Sequence, residues 1–206
     1  MPSKILILSR NDQYHKLEVL SSMIVEWTKG FEDIELEVSH NIDMLAELSG
    51  FDLCIFCVTP TELTNEEEQS LVDFVESGKN LLAVHSATVV SEKNTRYIDL
   101  IGARFTHHSP YHEFQVKIED AEHPVTKDLD DFNISDELYV LDRDPENAYV
   151  LVTTVWEDKV QPMVYTKGYG KGKVLYNALG HDEVSFTNPA YQKLIIQGIK
   201  WLLKVD

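Results

Sequence analysis

The chain has 206 residues, 43% of them apolar and 26% charged, an ordinary globular balance, and residues 1–206 read as one domain. Eighteen basic against thirty-five acidic residues give a net charge of −17, which argues against nucleic acid or an anionic membrane as partner, since both reward clustered Lys and Arg. No apolar stretch approaches the roughly 20 residues that span a bilayer, and Met1 to Lys4 run straight into an apolar strand with no room for a leader, so a cytoplasmic protein is expected.

Lys4 to Ser9 predicts the first strand, and Leu17, Leu20, Ile24 and Trp27 then recur at helical spacing, in a helix that takes in His15 on this reading. Ile34 to Ser39 alternates as a second strand, Ile42 to Leu48 reads as a short helix, and Phe51 to Val58 as a third strand. Cys54 and Cys57 lie three apart within that strand and so face opposite ways; they read as small buried side chains in a reducing compartment. Thr64 and Glu67 have capping-box spacing and open a helix bearing Leu71, Phe74 and Val75, which Gly78 ends. Asn80 to Val84 is the fourth strand. It delivers His85 into the small pair Ser86-Ala87.

This alternation predicts an α/β fold: three layers, a mostly parallel central sheet, and helices on both faces, as in flavodoxin-like proteins. From about Ser91 the alternation breaks. A short helix at Tyr97 to Ile101 is followed by strand-like pieces at 114–118, 149–156, 163–165 and 173–177, a β-rich second half of the same domain. Gly168 to Lys173 reads as a hairpin turn, not a phosphate loop, because strand-like residues flank it on both sides. Asn188-Pro189 caps a last helix whose apolar stripe is Tyr191, Leu194, Ile195, Gly198, Ile199 and Leu202.

Chemistry concentrates at strand ends. His85 stands at the carboxyl end of a buried strand, where open α/β sheets bind ligands. His181 follows another strand and has Asp182 and Glu183 behind it, a setting for acid–base work near neutral pH. His107-His108 and His112 form the densest histidine run, but no local zinc spacing is present. A metal site drawn from across the fold, using His85, His108, Glu137 and His181, is left open. Asp136-Glu137 is either a solvated turn or a ligand contact, and His40 and His123 read as structural or exposed.

Taken in order, Leu82-Ala83-Val84-His85-Ser86-Ala87, Leu100 to Phe105 with His108, His123-Pro124-Val125-Thr126, Asp136-Glu137-Leu138-Tyr139, Gly170 to Val174 and Leu179-Gly180-His181-Asp182 resemble the ThuA-like, or trehalose-utilisation, family. The resemblance implies the fold of class I glutamine amidotransferases. Against that pattern His85 stands where the elbow carries its cysteine, and His181 with Glu183 stands where the base and orienting acid lie. Glutaminase chemistry is therefore not expected. The resemblance implies carbohydrate catabolism, with a sugar or sugar derivative as ligand; His85 and His181 would transfer protons, Glu137 would orient, and His108, Asp182 and Ser86 would contact substrate. No cofactor is expected, while a divalent metal and a homo-oligomer are left open. The alternative is a non-catalytic ligand-binding or assembly module that keeps a degenerate amidotransferase fold.

Overall fold

The computed structural model describes residues 2–205. Leu53 to Cys57 and Leu81 to Val84 are unbroken apolar runs that bury both faces of a strand, and the two lie side by side inside the sheet. In chain order the elements are β1 (Ser3–Ser9), α1 (Leu17–Thr28), β2 (Ile34–Ser39), a 3-10 segment (Ile42–Gly50), β3 (Leu53–Cys57), α2 (Asn65–Glu76), β4 (Asn80–Val84) and a 3-10 turn (His85–Thr88). Next come α3 (Thr95–Ile101), β5 (Phe105–His108), β6 (His112–Ile118), β7 (Phe132–Asp136), β8 (Tyr139–Leu141), β9 (Ala148–Trp156), β10 (Lys159–Tyr169), β11 (Gly172–Asn177), α4 (Glu183–Phe186) and α5 (Pro189–Leu203).

Nine strands form one sheet in the order β2-β1-β3-β4-β11-β10-β9-β6-β7, and β5 pairs with β8 in a separate ribbon. The pairings from β2 to β11 are parallel and those from β11 to β7 antiparallel. The sheet is thus mixed, and the β-rich half extends the parallel half instead of forming a layer of its own. β3, buried throughout, is central, whereas β2, with three exposed residues, closes one edge.

Helices α1, α4 and α5 pack on one another, and α2 packs on both α3 and the 3-10 segment. Right-handed crossovers run from β1 outward to β2 and from β3 the other way to β4, which places the two sets on opposite faces. Thr64 and Glu67 make both bonds of the capping box. Asn188 caps α5 through Ala190 and Tyr191, and the stripe of that helix is buried as its spacing predicts. Each large apolar side chain in the stripe contributes about 2 kcal/mol of gross burial energy. Gly198 lets α5 approach the sheet, since a Cβ there would lie 2.5 Å from Leu175 Cδ2.

Three features position the site. The order reverses at β1, so the loops after β1 and β3 diverge and leave a crevice at the carboxyl edge. The β4–β11 register pairs Val84 with Asn177, so His85 and Ala178 emerge side by side. The β5–β8 ribbon pairs His108 with Tyr139 and brings Glu137 to the same edge.

Candidate functional site

His85 leaves β4 with φ of +44°, in the left-handed region that non-glycine residues enter at a cost of about 1–3 kcal/mol. Its surroundings hold it there. Its carbonyl accepts a bond from the Tyr176 hydroxyl at 2.8 Å, and its ring Nδ1 is 2.7 Å from the Ala178 carbonyl. A carbonyl can only accept, so Nδ1 carries the hydrogen and Nε2 keeps a lone pair. That Nε2 is buried and has no partner among the described residues. Burial first, then the neighbouring His15, hold the His85 pKa well below its usual value, so the ring is neutral at physiological pH.

His15 is a residue the sequence reading misplaced: α1 begins at Leu17, and His15 sits in the preceding loop with its side chain buried. Its Nδ1 lies 2.9 Å from Asp12 Oδ2, and its backbone N–H donates to Asp12 Oδ1 at 2.8 Å. Burial would raise the Asp12 carboxyl, but bonds from the Thr59 and His15 side chains and from two backbone N–H groups outweigh it and lower the pKa to about 2. An ionised carboxylate holds the hydrogen on Nδ1. The His15 Nε2 lone pair then points inward, with only a long 3.4 Å contact to the Tyr139 hydroxyl.

His181 is placed by Asp136, the last residue of β7. Asp136 is fully buried and accepts N–H bonds from Gly180 at 2.7 Å, Glu137 at 2.8 Å and His181 at 3.2 Å. Burial nevertheless pushes its carboxyl up to about 7. Gly180 has φ of +109°, and a Cβ there would overlap the Tyr191 hydroxyl, so the turn requires glycine. His181 Nδ1 lies 3.2 Å from Glu137 Oε2 without an aligned hydrogen bond, an ion-pair contact. Burial lowers the His181 pKa, yet Glu137 and then Asp136 and Asp182 more than offset it, and the net shift is upward. Glu137 shifts down, burial being outweighed by His181 and then His108.

The rings of His15, His85 and His181 converge, with centroids 5.1, 5.1 and 5.5 Å apart, and Tyr139 covers His85 at 4.0 Å. One donor atom each from His15, His85, Glu137 and His181 can be chosen so that all lie within 4.8 Å of one another. A cavity of about 680 Å³ opens over this group, lined by His15, Glu137, Tyr139 and His108 among others. His85 is sealed beneath it, so the expectation that His85 itself meets substrate is revised by its complete burial.

The other expected residues separate. His108 lines the cavity, and its Nδ1 lies 3.6 Å from Glu137 Oε1 and 2.7 Å from the Ser109 carbonyl. Ser86 is fully buried and bonded to the Thr59 hydroxyl at 2.7 Å, away from the cavity surface. Asp182 caps α4 through Val184 and Ser185 and accepts a bond from the Tyr111 hydroxyl at 3.3 Å. Glu183 is exposed and meets Lys16, so the acid beside His181 is Glu137. Sequence reasoning missed His15 and Asp12, although the loop after the first strand of a sheet whose order reverses there was the place to look.

Fold and site define an α/β protein with a polar, histidine-lined centre at the carboxyl edge of its sheet. The family profile for ThuA, trehalose utilisation, matches residues 4–202, and the chain belongs to that family. Among solved structures it is similar to a ThuA-like protein from Bacteroides uniformis, at TM-score 0.85 and 18% identity, covering 100% of this chain and 93% of that one. It is also similar to a ThuA-like protein from Parabacteroides merdae, at 0.82 and 18%, covering 98% and 90%. A β-galactosidase from Rahnella sp. R3 gives 0.72 at 17%, over 100% of this chain and 32% of that one. These likenesses show the fold. No curated protein matches by sequence. Among the described residues no helix is long and apolar enough to cross a membrane.

Proposed function

We propose that the protein is an enzyme of carbohydrate metabolism that acts on a sugar or sugar derivative in the cavity above the histidine centre, by proton transfer and without glutaminase chemistry. The observation that carries this reading is the meeting of three imidazoles and one carboxylate, from four separate segments, beneath a cavity of small-molecule size. The lining suits a polyhydroxylated ring. Arg10, Asp12 and Thr106 offer hydrogen bonds for hydroxyls, while Tyr14, Phe105 and Tyr139 offer aromatic faces for C–H edges. The family's description, trehalose utilisation, agrees with a sugar ligand.

Within the centre Glu137 is the base. It borders the cavity as an ionised carboxylate, and His181, shifted toward its charged form, stands behind it as counter-ion and proton reservoir. His108, beside Glu137 in the cavity wall, binds a substrate hydroxyl. Asp12 positions His15, and His85 keeps the floor neutral. A thioester route is closed because both thiols are buried in β3, where burial lifts Cys57 to about 12 and Cys54 further still. Two free thiols also suit a reducing, cytoplasmic compartment.

The test is a panel of mono- and disaccharides and their keto derivatives, followed by product analysis. Glu137→Gln is expected to lower kcat by about 10²–10⁴-fold, and His108→Ala to act mainly on KM. Wild-type turnover by Glu137→Gln, or a wild-type protein inert toward every sugar while releasing ammonia from glutamine, would overturn the reading.

A further inference from the structure

Proton transfer by Glu137 and His181 leaves the lone pair of His85 without a role. His85 Nε2 is buried, unprotonated and unpartnered, and the neighbouring His15 Nε2 has only the 3.4 Å contact with the Tyr139 hydroxyl. A buried polar atom without a partner costs about 1–3 kcal/mol, and here two lone pairs and a carboxylate face one another at close range. Such an arrangement is stabilised by a cation between them.

We infer that His15, His85, His181 and Glu137 are the ligands of one divalent transition-metal ion bound under the cavity. Their donor atoms lie within 4.8 Å of one another. Four ligands about 2.0–2.2 Å from a tetrahedral ion would sit roughly 3.4 Å apart, so a contraction of up to about 1.4 Å from the 4.8 Å span closes the site. The outer groups are those a metal site needs. The Ala178 carbonyl receives the other N–H of His85, and the Asp12 carboxylate that of His15, each fixing ring orientation and directing Nε2 inward. Asp136 fixes the His181 loop.

The donor set identifies the ion's class. Three imidazoles with one carboxylate suit Zn²⁺, Fe²⁺, Mn²⁺ or Co²⁺, whereas Mg²⁺ and Ca²⁺ prefer oxygen and Cu⁺ prefers sulfur. His15 and Glu137 line the cavity, which gives the ion a path in and a face on which substrate oxygen can bind. His108 stands outside the group whose donor atoms meet within 4.8 Å. The inference shares its location with the enzymatic reading. With an ion bound, Glu137 would be a ligand instead of the base, and the ion would supply Lewis-acid polarisation of a substrate oxygen.

The experiment is a Co²⁺ and Zn²⁺ titration of wild-type protein stripped with a chelator and dialysed, read by visible absorption, calorimetry and thermal melting. One ion per chain is expected, with a Tm rise on loading. Binding should strengthen as pH rises through the His181 titration, because proton and metal compete for that ring. Asp12→Asn should weaken binding about 10–100-fold, and His85→Ala at least as much, whereas His112→Ala should leave it unchanged. Should His85→Ala fail to fold, Asp12→Asn and the wild-type titration still decide. Absence of Co²⁺ and Zn²⁺ binding at micromolar concentration, or equal affinity in wild type and Asp12→Asn, overturns the inference. One bound ion without sugar turnover supports it while removing the enzymatic reading; full turnover by stripped protein in chelator does the reverse.

Discussion

Two groups of histidines share this chain and have opposite fates. His107, His108 and His112 are close in sequence, yet they disperse: Nδ1 of His107 meets the Thr106 hydroxyl, that of His112 the Pro110 carbonyl, and of the three it is His108 that reaches Glu137, at 3.6 Å. His15, His85 and His181 are separated by tens of residues and converge within 5.5 Å. The first group lies on a ribbon and an antiparallel strand, where alternation sends neighbours apart. The second comes from loops that the parallel sheet gathers at one edge. Strand order makes a site here, and local density does not.

The sharpest way to break that comparison is to remove one ring from each group. His85→Ala, which removes the neutral floor and a proposed metal ligand, should lower turnover by about 100-fold or more, while His112→Ala should stay within about twofold. Comparable losses in steady-state assays on folded variants would erase the distinction. Next in size is the backbone that aims His181. Gly180→Ala adds a Cβ into the Tyr191 hydroxyl at a positive φ and should cost about 3 kcal/mol, a Tm fall of about 6–12 °C by calorimetry. A fall under about 2 °C would mean that the loop has slack.

A smaller effect separates the rings by pH. The folded pKa of His85 lies well below 6.5, so as pH falls below 6.5 the unfolded chain takes up a proton that the folded state refuses. The His85 contribution should decline by about 1.4 kcal/mol per unit there, while Asp136, raised to about 7, contributes with the opposite sign. His181 has the opposite sign. Its folded pKa is raised, so its contribution is complete below 6.5 and is lost as pH climbs through the folded value. Urea melts between about pH 5 and 8 should show the His85 contribution as a difference in pH slope between wild type and His85→Phe. An unchanged slope in that variant would place the titration elsewhere. The smallest effect belongs to exposed His107, whose replacement by Ala should change stability by less than about 0.5 kcal/mol in the same melts.

How much was legible follows the same physics. The parallel core was readable because strands buried on both faces have continuous apolar runs, and α2 and α5 were readable from their caps. β7 and β8 were not, since Phe132–Asp136 and Tyr139–Leu141 are short and lie among acidic residues. His85 and His181 could be named from their places at strand ends, and Glu137 only as one of a pair of carboxylates before an apolar run. His15 could not, because Leu17, Leu20 and Ile24 set a helical rhythm whose start no side-chain cap marks, and the histidine was counted inside it. Glu183 misled through adjacency, being next but one to His181 in sequence while Glu137 is next to it in space.

The most direct test is long-range proton–nitrogen NMR of the imidazoles in wild-type protein across neutral pH, before and after one equivalent of Zn²⁺. The account predicts a His85 ring that stays neutral with its hydrogen on Nδ1, and ring signals of His15, His85 and His181 that shift together on metal addition while that of His112 holds still. A His85 ring that titrates near 6.5, or three rings that respond independently, would contradict it.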